Sequence, residues 1–328
     1  MIRFGILGCG RIGQVHARTL HRLRGARVAA VSDAMPLAAE TLAEEVGAEV
    51  RASDAILSAG DIDAIAICTP TDTHADLIEA AAHAGKPVFC EKPIDLDIDR
   101  VKACLETVAA TGTPLLVGFQ RRFDPHFRAL KDALTAGRIG RIEQIMITSR
   151  DPGPPPLDYI KRSGGQFRDM TIHDFDMARF LLDGPITRVL AVGGALVDPA
   201  IGSAGDTDTA TVLMETTTGA QVVITNSRRA TYGYDQRVEV LGSDGMLQVG
   251  NQPETALRTA TSSGFEHPVL LDFFMVRYKD AYANEMRAFM DMVETGAPPP
   301  VSGQDGLEAL RLADAADRSA RSGAWVVL

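Results

Sequence analysis

Arg3-Phe4-Gly5-Ile6-Leu7 runs without a break into Gly8-Cys9-Gly10-Arg11-Ile12-Gly13, and a helical pattern then continues to Leu23. G-x-G-x-x-G alone is a weak signal; an apolar strand before it and a helix after it give it meaning. The glycines permit a tight turn, close approach of backbone to a pyrophosphate, and tight packing of helix on strand. The amides that open the helix, among them those of Arg11 and Ile12, then face the phosphate charge. The next strand, Arg27 to Val31, ends at Ser32-Asp33, 20 residues after Gly13. A carboxylate there accepts hydrogen bonds from the adenosine ribose hydroxyls. Asp33 would repel a 2′-phosphate, and Ala34-Met35-Pro36 offers no Arg or Lys to bind one. The expected cofactor is therefore NAD rather than NADP.

Outward from this turn the alternation persists. Leu37 to Val46 reads as helix and Ala64-Ile65-Ala66-Ile67-Cys68 as a continuous apolar strand of the parallel-sheet kind. It delivers Thr69-Pro70-Thr71-Asp72-Thr73-His74, a loop expected beside the nicotinamide half of the cofactor. His74 there suits cofactor contact or a structural role better than catalysis. A helix (Ala75 to Ala84), the strand Pro87 to Cys90, the tripeptide Glu91-Lys92-Pro93, a helix (Ile98 to Ala110) and a strand (Leu115 to Phe119) follow. The loop from Gln120 to Pro125 closes the unit. Strand–helix repeats of this length predict a right-handed doubly wound parallel sheet over residues 1–123, with ligands at the carboxyl ends of its strands.

From residue 124 the grammar changes. Strands near Arg141–Ser149, Arg188–Val192, Thr209–Glu215, Gln221–Ser227, Gln236–Gly242 and Met246–Val249 follow one another with few helices between them. That predicts an α+β domain over 124–328: a mostly antiparallel, open-faced sheet with helices on one side. The helices Tyr282–Val293 and Asp305–Arg321 are free to pack back on the first domain. Strands such as Glu143-Gln144-Ile145-Met146-Ile147 are apolar on both faces. One face packs on helices; the other calls for a second subunit, hence a homo-oligomer.

The 33 Lys+Arg against 43 Asp+Glu give a net charge of -10, which disfavours nucleic acid and anionic membrane as partners. The N-terminus lacks the basic and long apolar regions of a signal peptide, and no stretch is long and apolar enough to span a bilayer. Cys9, Cys68, Cys90 and Cys104 are scattered without metal-binding or C-x-x-C spacing. No metal site and a reducing, cytoplasmic location are expected.

Phe167-Arg168-Asp169-Met170-Thr171-Ile172-His173-Asp174-Phe175-Asp176 carries the strongest acid–base pattern. On a helix at about 100° per residue, Asp169, His173 and Asp176 fall within roughly 60° of one another. A carboxylate one turn before a histidine holds its tautomer and raises its basicity. A solvated Asp/His face is the competing reading. Lys92, at the end of a core strand, is expected to point towards the cleft between domains, where an ammonium can stabilise alkoxide character as hydride leaves.

Taken in order, Gly8–Gly13, Glu91-Lys92-Pro93, Gln120-Arg121-Arg122-Phe123-Asp124 and the Asp169…His173 helix resemble the Gfo/Idh/MocA oxidoreductases. Ser149 to Pro156, Ser163-Gly164-Gly165 and Thr171 to Arg179 are similar to its inositol dehydrogenase branch. The resemblance covers essentially the whole chain. It implies an NAD-dependent polyol dehydrogenase oxidising a ring hydroxyl of myo- or scyllo-inositol, usually a homotetramer formed through the open face of the second sheet. A sugar dehydrogenase acting on a glucose-like or anhydro-sugar substrate is the alternative. It also implies roles: Lys92 and His173 as catalytic pair, Asp169 as their acidic partner, Asp176 as a ligand to substrate hydroxyls, and Arg122 at the cleft. Glu91, Gln120, Thr69, Pro70 and Thr71 join the glycine turn and Asp33 around NAD. Tyr232 and Tyr234, in Tyr232-Gly233-Tyr234-Asp235, are expected on one face of a strand by period-2 spacing, and one of them matches a substrate-side tyrosine. Some inositol dehydrogenases carry His and Asn where this chain has Arg150-Asp151-Pro152, which leaves the exact polyol open.

Overall fold

Ile2–Leu7 (β1) is the strand around which the first unit is wound. The computed structural model describes residues 1–328, in two units: Met1–Asp124 with Asp280–Leu310, and Pro125–Lys279 with Arg311–Leu328.

In the first, β1 leads through α1 (Arg11–Arg22), β2 (Ala26–Ser32), α2 (Pro36–Val46), β3 (Glu49–Val50) and α3 (Ser53–Ser58) to β4 (Ala64–Ile67). Then follow α4 (His74–His83), β5 (Val88–Glu91), α5 (Ile98–Thr111) and β6 (Leu115–Gly118). The sheet order is β3-β2-β1-β4-β5-β6, and every pairing is parallel. Each residue of β4, β5 and β6 is buried, which is why these strands read as unbroken apolar runs. Because the strands are parallel, all their carboxyl ends open on one edge. The turns beginning at Gly8, Cys68, Lys92 and Phe119 therefore share that edge, and the strand order reverses there between β1 and β4. The chain returns late to finish this core. Met286, Phe289, Met290 and Met292 join the cluster of Phe4, Ile6, Val28, Leu42 and Phe89. The Phe289 ring lies 6.0 Å from Phe4 and 6.1 Å from Phe89.

The second unit runs α6 (Pro125–Thr135), β7 (Ile142–Arg150), α7 (Leu157–Ile160), α8 (Ile172–Leu181), β8 (Ile186–Gly194) and α9 (Pro199–Ser203). It continues as β9 (Thr209–Thr216), β10 (Gln221–Ser227), β11 (Asp235–Gly242), β12 (Gly245–Val249), the hairpin β13 (Thr259–Thr261) and β14 (Gly264–Glu266), and α10 (Phe274–Arg277). The chain then passes through α11 (Lys279–Thr295) and α12 (Gly303–Ser322) and ends in β15 (Val326–Val327). The seven-stranded order is β12-β11-β7-β10-β9-β8-β15. All pairs are antiparallel except β7 with β10. One face is closed: Ile145, Ile147, Val212, Met214, Val222 and Ile224 are buried in strict alternation. The other exposes Met146, Val192, Leu241 and Met246. At the strand ends the closed face turns polar, with Ser149 and Asn226 fully buried. No helix is long and apolar enough to cross a membrane.

Candidate active site

At the first turn, Gly8 has φ of +95° and a Cβ there would lie 2.5 Å from the Cys68 backbone. A Cβ on Gly13 would lie 2.0 Å from the Gly8 carbonyl oxygen, so α1 packs against the turn at a distance only glycine allows. Gly10 differs: its Cβ would meet nothing within 4 Å. It caps α1 with no side-chain hydrogen bond, leaving the helix's first amides open beside that space. Asp33, past the end of β2, accepts from the Cys9 amide at 2.6 Å and the Met35 amide at 2.8 Å. The carboxylate is thereby held against the glycine turn. An open cradle before a helix N-terminus, with a fixed acid beside it, fits a dinucleotide without a 2′-phosphate.

Thr69, Pro70 and Thr71 lead into a single 3₁₀ turn tied by the Thr73 hydroxyl, 2.7 Å from Thr69 Oγ1 and 2.8 Å from the Pro70 carbonyl. His74 is buried and its two ring nitrogens lie 2.8 Å from the carbonyls of Pro93 and Thr69. Both polar atoms are committed to backbone, so the ring braces the loop after β4 against the one after β5.

Glu91 closes β5, and its Oε1 lies 2.7 Å from Nε2 of buried His16. That imidazole stacks edge-on against Phe89 and Tyr282, centroids 4.7 and 5.5 Å away. Lys92 follows, half-buried, with a cis peptide to Pro93. Gln120 and Arg122 are both buried in the turn after β6. Arg122 donates to Asp305 at 3.0 Å, and Asp305 is itself fixed by the Ser302 amide and hydroxyl at 2.9 and 2.8 Å, a capping box that opens α12. Burial alone would raise the Asp305 carboxyl; Arg122 and Ser302 outweigh it and hold it below the usual range.

Sequence reading missed Glu285 and its setting. This α11 residue is fully buried and neither carboxyl oxygen has a hydrogen-bond partner. Burial, and then the charge of Glu91, push its carboxyl well above the usual carboxylate range, towards the neutral form. The signal was there in pattern only: Glu285 and His16 each occupy the apolar stripe of an amphipathic helix. A group whose folded pKa is raised contributes stability fully below its unfolded pKa and loses it as pH rises through the folded value. Glu285→Gln cannot ionise. Its unfolding free energy, followed by thermal or denaturant melting, is therefore expected to pull ahead of the parent's as pH rises from the unfolded carboxylate pKa, by up to about 1.4 kcal/mol per pH unit. A difference independent of pH would refute the neutral assignment. The four thiols are buried, with Cys9 and Cys104 pushed by burial to about 12 and Cys68 and Cys90 well above their usual value, so none serves as a nucleophile at neutral pH.

In the second unit the acid–base stretch is not the uniform α-helix expected. Phe167–Thr171 forms one turn of π-helix before α8 begins at Ile172. The 100° spacing therefore holds between His173 and Asp176 but not back to Asp169, which sits on the wider turn. Such turns inserted ahead of an α-helix recur at functional sites. His173 is half-buried and Asp176 buried. Between them Asp174, which sequence reading passed over, accepts from the Ser149 hydroxyl at 2.5 Å and from Asn226 Nδ2 at 2.8 Å. Asn226 also accepts from the Thr171 hydroxyl at 2.6 Å, so both ends of the π-to-α junction are pinned to β7 and β10. Asp169 accepts from the Tyr159 hydroxyl at 2.8 Å and from Arg228 Nη1 at 3.4 Å.

The two tyrosines do not share a strand face. β11 starts only at Asp235, and Gly233, with φ of +118°, turns the chain between them. Tyr232 is 51% exposed; its hydroxyl donates to Asp235 at 2.5 Å and accepts from Arg150 at 2.8 Å. Tyr234 is 6% exposed and packs edge-on against Phe273 and Tyr278.

A doubly wound sheet with a dinucleotide turn, joined to an α+β unit bearing a buried acid–base segment, defines an NAD-binding oxidoreductase. Residues 2–119 match the family model for an oxidoreductase with an NAD-binding Rossmann fold, and 127–248 the GFO/IDH/MocA C-terminal domain. The chain belongs to the Gfo/Idh/MocA family. It is 59% identical over 97% of its length to an inositol 2-dehydrogenase of Rhizobium meliloti, covering 96% of that protein. It is 45% identical, over 97% of this chain and 96% of the other, to a myo-inositol 2-dehydrogenase of Thermotoga maritima. Among solved structures, a scyllo-inositol dehydrogenase of Lactobacillus casei with bound NAD(H) and scyllo-inositol superposes with a TM-score of 0.93 at 30% identity, over 100% of this chain and 99% of that one.

Proposed function

We propose that this chain is an NAD-dependent inositol 2-dehydrogenase, oxidising a ring hydroxyl of myo- or scyllo-inositol to the inosose. The likeness over 97% of the chain to a relative named for that activity carries the reading. The turn Gly8–Gly13 and Asp33 hold the dinucleotide; bound NAD+ supplies the hydride acceptor. His173 takes the proton of the reacting hydroxyl. The Lys92 ammonium donates to the same oxygen and stabilises the alkoxide charge that builds on it. Asp169 orients His173 and balances its cation. Asp176 and Arg122 bind the remaining hydroxyls. One of Tyr232 and Tyr234 completes the substrate site; the Tyr232 hydroxyl is held between Asp235 and Arg150.

The enzyme so read is a cytoplasmic homotetramer: its thiols are free, and Met146, Val192, Leu241 and Met246 give the open sheet face an apolar surface suited to a second copy. The test is a panel of inositol isomers and hexoses with NAD and NADP, following reduced cofactor, with mass by light scattering. Turnover of myo- or scyllo-inositol with NAD, faster than of any hexose or with NADP, is expected, from a particle of four chains. A preference for a hexose, or no turnover of any inositol, overturns the substrate; a monomer overturns the assembly.

A further inference from the structure

Arg228 is the largest fully buried side chain in the protein, 1% exposed. β10 ends at Ser227, and the Arg228 amide donates to the Asp208 carbonyl at 2.7 Å, which fixes the backbone where the side chain turns inward. Its guanidinium meets two carboxylates, Asp169 at 3.4 Å and Asp206 at 3.6 Å. Its Nε and Nη2 have no hydrogen-bond partner, so these two carboxylates are what balance the buried charge. Asp206 is held by the Gln166 amide on Oδ1 at 2.8 Å, and its Oδ2 is the oxygen that faces Arg228.

We propose that Arg228 is a positioning residue for the dehydrogenase reaction, fixing the Asp169 carboxylate and through it the orientation of His173. The inference rests on the reading of His173 as the acid–base group. A buried guanidinium nitrogen beside one carboxylate oxygen limits how that carboxylate can turn. With Tyr159 on Oδ1 and Arg228 on Oδ2, both oxygens of Asp169 have an assigned donor. The charged groups of the neighbouring elements are Asp206 and Asp208 in the segment between α9 and β9, and His173, Asp174 and Asp176 on α8. The Asp208 carboxylate is occupied by the amides of Leu196, Val197 and Asp198. Arg168, on the same π-helical turn as Asp169, is drawn off by Asp314 at 2.6 Å. Arg228 is thus a buried cation in direct contact with Asp169.

The test is the pH dependence of kcat/KM for inositol with NAD, in full-length Arg228→Gln, Arg228→Lys and Asp206→Asn, alongside thermal midpoints. Removing the cation makes the acid–base group release its proton later, so the acid limb of Arg228→Gln is expected to rise by about one pH unit. Arg228→Lys keeps the charge and is expected to bring the limb most of the way back. Asp206→Asn frees Arg228 from its second partner and moves the limb the other way; it also keeps the question answerable if Arg228→Gln fails to fold. In a double-mutant cycle, Arg228→Gln on an Asp169→Asn background should cost little further activity. A limb that stays in place in Arg228→Lys and Asp206→Asn, while activity falls only with melting temperature, overturns the proposal. Normal turnover in His173→Asn would instead overturn the reading beneath it.

Discussion

Lys92→Ala is expected to lower kcat for inositol oxidation by about 10²–10³-fold, the cost of removing one donor aimed at developing oxyanion charge. His173→Asn is expected to lose about 10²–10⁴-fold, the share a positioned general base supplies. In both, NAD binding should stay nearly intact. The proposed dinucleotide cradle, Gly8–Gly13 with Asp33, is held by contacts of the turn itself and of Cys68, none of which involves Lys92 or His173. Steady-state kinetics with a separate fluorescence titration of NADH separates the two effects. Near-normal turnover in Lys92→Ala would remove Lys92 from the chemistry. Loss of NADH binding equal to the loss of turnover would reassign it to the cofactor.

The glycines of the turn should divide by what lies in front of them. At Gly10 a methyl group enters open space and φ is -67°, which any L residue adopts. Gly10→Ala should therefore cost the apoprotein under about 1 kcal/mol, the usual difference at a helix N-cap. The same methyl occupies the cradle, so NAD affinity is expected to fall about tenfold or more, about 1.4 kcal/mol. At Gly13 the methyl would lie 2.0 Å from the Gly8 carbonyl oxygen, and either turn or helix must move. Gly13→Ala should lose stability, towards the upper end of the about 1–3 kcal/mol typical of overpacking, together with cofactor binding. Calorimetric melting and NAD titration on both variants decide it. Gly10→Ala binding NAD like the parent would show that the cradle does not hold the pyrophosphate.

How far the residues could be read from the chain depended on where their partners lie. β1, the glycine turn and α1 were legible because neighbours in sequence make that structure: an apolar run, glycines at fixed offsets, then a helical period. Asp33 was legible for the same reason, being one strand further on. The segment around His173 was legible as polar positions on a helix but not as a π-helical turn. No residue within Phe167–Thr171 forces that turn; the grip of Asn226 on Thr171 and Asp174 accompanies it. Tyr232 and Tyr234 looked equivalent at period two until Gly233 turned the chain between them.

By itself, then, the sequence determined the order of elements, the doubly wound class of the first sheet, the NAD turn and which side chains could carry acid–base chemistry. Each of these follows from local chain geometry. The tertiary structure alone decided which charges are paired. It put Arg228 on Asp169 across 59 positions of chain, Glu285 beside Glu91, and both ring nitrogens of His74 on backbone carbonyls. Such pairings depend on how distant segments return to a common core. A buried charge must find its counter-charge, or give up its charge, wherever that return leaves it.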